Sequence, residues 1–324
     1  MSSICFLLRL PSRIVYSRER PTSIPQTGPK LLMFFRALLS VTLCITMVSP
    51  TFGWWETGHQ TVARLAAAHL SPKARERVAE ILGVPDSTPS VAVAMAKAST
   101  WADEVKASTQ TAEWHYIDLT LQDTKSDIDK RCRNEDCVTA RIRMFSQQLA
   151  RKRTDPKWTD LDALRFLIHF VGDVHQPLHA ISDADLGGNC ERLDPPVDTA
   201  RNLHALWDGG MLTLIEKDDS ALASNLQGYL DKLGPTIQKK WAKGDERAWA
   251  WESHELAKRV VYQRLHIPLQ PEIFPAGCQA APPEITNFKP VIDSLYINDM
   301  KPVLRDQLTK GGLRLAALLN RTLR

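Results

Sequence analysis

Two His-x-x-x-Asp spacings stand out in this 324-residue chain. His169 and Asp173 fall inside LDALRFLIHFVGDVHQPLH, Leu161 to His179, and His204 and Asp208 fall inside NLHALWD. A spacing of four puts the two side chains of each pair on one face of a helix. The first pair sits among Leu164, Phe166, Leu167, Ile168, Phe170 and Val171, so folding would bury it. An ionisable pair in such a place is costly unless something compensates, and a bound cation would do so. A lone helical histidine is ordinarily a satisfied core or surface residue. Here the pair recurs, and His179 follows the first one closely. His59, Asp103 and His115 also lie beside apolar helical surface, which makes eight candidate ligands with His169, Asp173, His179, His204 and Asp208. Imidazole and carboxylate together suit zinc. Eight ligands exceed what one tetrahedral ion takes, and they would serve two or three ions if one carboxylate bridges. The chain has no GKS/T phosphate loop and no GxSxG elbow to compete with this reading.

The elements that must position these groups are mainly helical. The central run is preceded by Thr159-Asp160-Leu161-Asp162, a capping box with Asp in place of Glu, and it stops at Pro177. Helices are expected over 58–70, from Ser71-Pro72 (N-cap and first position) to Leu82, and over 91–106, 138–152, 197–215, 220–233, 247–266 and 295–323. Gly311-Gly312 is a candidate break in the last. Residues 111–121 are less regular, 185–189 read as a loop, and the proline-rich 268–290 as a surface loop. There is no internal repeat and no clear strand alternation, so the fold class read from the pattern is all-α, with one domain over 54–324.

Residues 1–53 differ from the rest. Met33-Phe34-Phe35-Arg36 opens an apolar run, Ala37 to Val48, which is followed by Ser49-Pro50-Thr51-Phe52-Gly53. That order of basic, apolar and small residues reads as a secretory signal peptide over 33–53, too short to span a bilayer comfortably. Residues 1–53 carry six Lys and Arg and one Glu, out of 41 and 37 in the whole chain, leaving 35 basic residues against 36 acidic ones. The domain is therefore near neutral, with no global basic field to grip a polyanion, and anion binding falls to a local site. Cys5 and Cys44 lie in the leader, and Cys132, Cys137, Cys190 and Cys278 remain. An even number in an exported chain reads as two disulfides. The short RCRNEDC loop pairs Cys132 with Cys137, and Cys190 with Cys278 follows by elimination.

WWETGH (54–59), STWADEVK (99–106), WHYID (114–118), FLIHFVGDVHQPLH (166–179), GGN (187–189), NLHALWD (202–208) and WESHELAKRVVY (251–262) together resemble the S1/P1 nuclease family of secreted trinuclear zinc nucleases. The resemblance runs in order over nearly all of 54–324. It implies the phospholipase C/P1 nuclease type of helical fold and three Zn2+ ions. Asp103, His115, His169 and Asp173 match the ligands of one ion, and His179, His204 and Asp208 those of a second. The third takes His59, the bridging Asp173, and the amino nitrogen and carbonyl oxygen of Trp54 as mature N-terminal residue. A Trp54 still joined to Gly53 offers only an amide nitrogen, a poor donor, so leader cleavage bears on the chemistry.

The resemblance further implies hydrolysis of single-stranded RNA and DNA to 5′-phosphate products by in-line attack of water activated between two ions, with 3′-nucleotidase activity in addition. Lys106 is assigned to the developing charge on phosphate, Asp118 to orienting His115 or the water, and Asn189 to substrate contact. His175, His69, His254 and His266 are not at matched ligand positions. Trp114, Trp207 and the other tryptophans read as core more readily than as base-stacking platforms. The implied setting is a monomer, secreted or periplasmic, with no stable membrane association once the signal peptide is removed. Two alternatives stay open: a zinc phospholipase C-type phosphodiesterase, for which a Glu is expected where this chain has Asp208, and a zinc-binding protein without turnover.

Overall fold

The structure is a computed structural model that describes residues 54–151, 155–270 and 272–324. The expected signal peptide at 33–53 lies outside the described residues. The fold is all-α apart from one small hairpin. Its longer helices are α1 (Glu56–Ala68), α2 (Pro72–Leu82), α3 (Thr88–Ala98), α4 (Trp101–Thr109), α5 (Val138–Leu149), α6 (Asp160–Asp173), α7 (Asp219–Trp241), α8 (Glu246–Ala257) and α9 (Ser294–Thr322). Strands β1 (Arg192–Val197) and β2 (Ala200–Asn202) pair antiparallel. No described helix is long and apolar enough to cross a membrane.

α6 is the core of the molecule. Thr159 Oγ accepts from the Asp162 N–H, and Asp162 returns the bond to the Thr159 N–H at 3.0 Å, so the expected capping box forms. Its residues are buried from Ala163 to Asp173 except Arg165. The Phe166 ring is surrounded by Phe145 (4.7 Å between centroids), Trp158 (5.0 Å), Trp101 (5.1 Å) and Trp114 (5.6 Å). α6 packs on α5, and it also meets α1, α3, α4 and α9. Burying one such aromatic side chain is worth about 2–3 kcal/mol, so this cluster fixes the helix that carries His169 and Asp173. Both expected disulfides form, Cys132–Cys137 and Cys190–Cys278.

The structure corrects four expectations about the elements. The helix expected over 91–106 is two, α3 and α4, interrupted at Ser99-Thr100, where the Ser99 hydroxyl bonds back to the Ala96 carbonyl at 2.7 Å. The helix expected over 197–215 is a hairpin, a short turn at Leu203–Ala205, a wide π turn at Leu206–Gly210 and a last turn at Met211–Thr213. Pro195 and Pro196 cannot donate to a helix, and Asp198 adopts φ 50° in the turn of the hairpin. Gly311-Gly312 does not break α9, because both lie against α1 beside Val62 and Leu65 and let the two helices approach closely. α7 also runs past the expected end at Leu233, through a kink at Gly234 ahead of Pro235.

Candidate metal centre

The eight candidate side chains arrive from separate elements. His59 comes from α1, Asp103 from α4, His115 from the 3-10 turn Ala112–His115, and His169 and Asp173 from the last two turns of α6. His179 comes from the turn Pro177–Ala180, His204 from Leu203–Ala205, and Asp208 from the π turn. They converge into three groups whose ligand atoms lie within 4.8 Å of one another: His59, Asp103 and His169; His115, His169 and Asp173; His179, His204 and Asp208. The first differs from the implied grouping in joining His59 to Asp103, yet His59 Nε2 also stands 3.5 Å from Asp173 Oδ1.

Asp173 is the hub. Its Oδ2 faces His115 Nδ1 at 3.0 Å and His169 Nε2 at 3.1 Å, while Oδ1 faces His59 and His179, the latter at 3.4 Å. The carboxylate therefore points one oxygen to each side. His204 Nε2 lies 3.2 Å from Asp208 Oδ2.

Backbone carbonyls fix the imidazoles. His169 Nδ1 meets the Ser99 carbonyl at 2.6 Å, His179 Nδ1 the His115 carbonyl at 3.0 Å, and His204 Nδ1 the Gly187 carbonyl at 2.7 Å. A carbonyl only accepts, so each Nδ1 carries the proton and each Nε2 lone pair is turned into the cluster, as metal ligation requires. The Ser99 interruption between α3 and α4 thus presents a carbonyl to His169. Gln176 holds Asp208 from the other side, its Nε2 donating to Oδ1.

Burial lowers the His115 pKa to about 4 despite its hydrogen bond to Asp173. Burial also acts against the charged form of His169, but Asp173 and Asp103 outweigh it and raise its pKa to about 9. Desolvation likewise opposes ionisation of Asp173, and His169 and His179 overcome it, holding the carboxyl well below its ordinary value. The protein thus keeps an anionic hub among crowded imidazoles.

The test of fit is what stays unsatisfied. His59 Nδ1 and Nε2, His115 Nε2, Asp173 Oδ1 and His179 Nε2 are all buried without a hydrogen-bond partner. Buried polar atoms are rarely left so, and each costs about 1–3 kcal/mol. Here they belong to one constellation of nitrogen and carboxylate donors, the set that divalent transition metals take. The residues fit bound metal.

The remaining expected residues are placed as follows. Trp54 is wholly buried, and its indole Nε1 donates to the Gly172 carbonyl at 3.0 Å, one residue before Asp173. Lys106 Nζ sits 2.9 Å from Asp103 Oδ1, so it pairs with a ligand candidate. Asp118 is not among the partners of the His115 imidazole, whose Nδ1 faces Asp173 and His169. Burial and the neighbouring Asp185 raise the Asp118 carboxyl to about 7. Asn189 lines the cavity over the cluster, with its amide donating to the Leu186 carbonyl at 2.8 Å. His69, His254 and His266 lie outside all three groups. His69 pairs with Gln227, and His254 Nδ1 meets the Ala180 carbonyl.

Sequence reasoning missed Ser99, Gln176, Gly187 and Gly172. The first three act through backbone or amide groups that many residue types offer. Gly172 carries no functional atom, yet a Cβ there would lie 2.6 Å from His59 Nδ1. Its local signal was only its place before Asp173.

A cavity of about 650 Å³ opens on the cluster and is lined by His59, Asp103, His204 and Asp208, with Trp55 and Arg201 on its wall. The model of the S1/P1 Nuclease family matches residues 54–324. The chain is 28% identical to Endonuclease 2 of Arabidopsis thaliana over 88% of its own length and 96% of that protein's. It is 28% identical to Nuclease P1 of Penicillium citrinum over 82% and 97%, and 32% identical to Nuclease S1 of Aspergillus oryzae over 56% and 61%. A family match across the whole helical domain, centred on a buried His and Asp constellation built for metal, establishes that the chain belongs to the S1/P1 nuclease family and is a phosphodiester-hydrolysing nuclease.

Proposed function

We propose that this protein is an exported endonuclease that holds three Zn2+ ions and hydrolyses single-stranded RNA and DNA to 5′-phosphate products, with 3′-nucleotidase activity on nucleotides. The observation that carries the reading is the set of buried, unpartnered atoms on His59, His115, Asp173 and His179. Asp103, His115, His169 and Asp173 would hold one ion, and His179, His204 and Asp208 a second. His59 and Asp173 would hold the third with the amine and carbonyl of Trp54 once the leader is cleaved after Gly53. Bound there, the ions would supply Lewis-acid charge to the phosphate and the leaving oxygen and would acidify a water nucleophile.

The chain's own residues do the positioning. Asp173 turns one oxygen toward His115 and the other toward His179, and so would serve two neighbouring ions. Ser99, His115 and Gly187 lend carbonyls that keep three imidazoles in the Nδ1–H tautomer. Lys106 holds a cation beside Asp103, from where it would meet charge developing on the phosphate. Asn189 contacts substrate from the cavity wall, and Asp118 acts from outside the ligand set. The molecule works as a monomer outside the cytoplasm, in the periplasm or beyond it, without stable membrane association.

The test is hydrolysis by purified mature protein of single-stranded RNA and of phosphatidylcholine, each with and without a chelator, together with native and denaturing mass. The expected outcome is cleavage of RNA alone, its loss on chelation, an N-terminus at Trp54 and a native mass excess of three zinc ions. Cleavage of phosphatidylcholine in place of RNA, or bound zinc without hydrolysis of either, overturns the reading.

A further inference from the structure

We propose that Trp55 and Arg201 form a nucleotide subsite on the cavity wall, which takes an unpaired base on the indole face and a neighbouring backbone phosphate on the guanidinium. The inference rests on the nuclease reading above and deepens it, because it names the residues on the cavity wall that would hold the strand next to the ligand cluster.

Trp55 is the first support. Its backbone N–H donates to the Asp208 carbonyl at 2.9 Å, which ties it to a ligand candidate. Its ring packs against Gly209, where a Cβ would come within 2.0 Å of the indole. The glycine leaves room for the ring, and the packing fixes its direction. The indole is only partly buried, and it lines the same cavity as His59 and Asp208. Among the described residues no aromatic ring stacks on it and no acceptor takes its N–H. Eight of the nine tryptophans are described differently: Trp54, Trp114, Trp158, Trp207 and Trp249 are buried core, and Trp101, Trp241 and Trp251 pack against neighbouring aromatic rings. Trp55 brings an aromatic ring to a cavity lined by candidate metal ligands, and bases stack on such rings for about 1–3 kcal/mol each.

Arg201 is the second support. It belongs to β2 and lines the same cavity, is exposed, and its side chain has no hydrogen-bond or ion-pair partner among the described residues. The cavity's carboxylate lining residues are Glu56, Asp103, Glu104 and Asp208, and Arg201 is the one Lys or Arg among the lining residues. An unpaired guanidinium facing an acidic cleft is ill explained by stability, since a nearby carboxylate partner would serve better. It is suited to a phosphodiester, which the near-neutral domain does not attract as a whole.

The test is fluorescence anisotropy of a labelled single-stranded oligothymidylate with zinc-loaded wild type, Arg201→Ala, Arg201→Lys, Arg201→Glu and Trp55→Ala, over a series of salt concentrations. Arg201→Ala is expected to weaken binding about tenfold and to reduce the slope of log affinity against log salt by about 0.7, the value for one lost phosphate contact on a single strand. Arg201→Lys should restore the slope, Arg201→Glu should weaken binding further, and Trp55→Ala should weaken it with the slope kept. Arg201 is exposed, so its variants are expected to fold even if Trp55→Ala does not. Wild-type affinity and slope in Arg201→Ala, or no binding by wild type at all, overturns the subsite. Binding without hydrolysis by wild type would instead overturn the nuclease proposal while the variants still decide this one.

Discussion

His169 and His175 lie six residues apart, both are fully buried, and their surroundings are opposite in kind. His169 belongs to a constellation left with unpartnered nitrogen and oxygen atoms. His175 belongs to a closed one. Its Nδ1–H meets the Val171 carbonyl at 2.7 Å, and its Nε2 accepts from Arg314 Nη1 at 2.9 Å. The other guanidinium nitrogens of Arg314 reach the Trp241 carbonyl and Glu252, and Lys310 also donates to Glu252. Burial, and then Arg314, push the His175 pKa down to about 3, so the ring is neutral. One cluster supplies its own counter-charges, whereas the other leaves a place for charge from outside. Residue type alone does not separate a functional histidine from a structural one; what its second nitrogen finds does.

Asp173→Asn should break the open cluster most severely, because it removes the shared anionic hub. A loss of about 10⁴ in kcat/KM, roughly 5 kcal/mol of transition-state stabilisation, is expected in a steady-state assay on single-stranded RNA, with the protein still folded by circular dichroism. Arg314→Met strikes the closed cluster. It leaves the Glu252 carboxylate short of a partner and should cost about 3–4 kcal/mol of stability, seen as a melting temperature lower by about 10 °C, while kcat per folded molecule holds.

A third test uses acid. Burial favours the neutral form of Glu252, but Arg314 and Lys310 outweigh it and lower its pKa from 4.5 to about 2. Its contribution is complete above about pH 4.5 and is lost as pH falls through about 2. After discounting for its partial exposure, about 1–2 kcal/mol of stability at neutral pH comes from this group. Urea unfolding of wild type and Glu252→Gln should therefore differ at pH 6 and converge toward pH 2. The smallest effect is expected at Lys106. Its alanine variant should lose about tenfold in kcat on RNA, near 1.4 kcal/mol, and arginine should recover most of it.

Much of this contrast is legible in the sequence. The i, i+4 spacing at 169 and 173 survives because a capped, apolar helix preserves it, and Thr159 and Asp162 announce that cap. His204 and Asp208 keep their proximity although the helix expected there is a hairpin and a π turn. The spacing therefore pointed to the right pair through a mistaken element. The α3–α4 interruption was illegible because Ser99 is compatible with a helix, and the break is favoured by a carbonyl contact with His169, seventy residues away. Lys106 and Asp118 were chosen by position, and spacing does not encode where a flexible lysine or a largely buried carboxylate comes to rest. Arg201 and Trp55 gave no signal, since their meaning lies in a wall assembled from two distant segments.

Gly172 has a consequence for how this enzyme tolerates change. An alanine there adds one methyl group, alters no charge and suits a helix better than glycine does. Yet that methyl would occupy the space of the His59 ring. A harmless-looking replacement at a residue with nothing to react would silence the enzyme as surely as loss of a ligand, and a search confined to reactive side chains would pass over it.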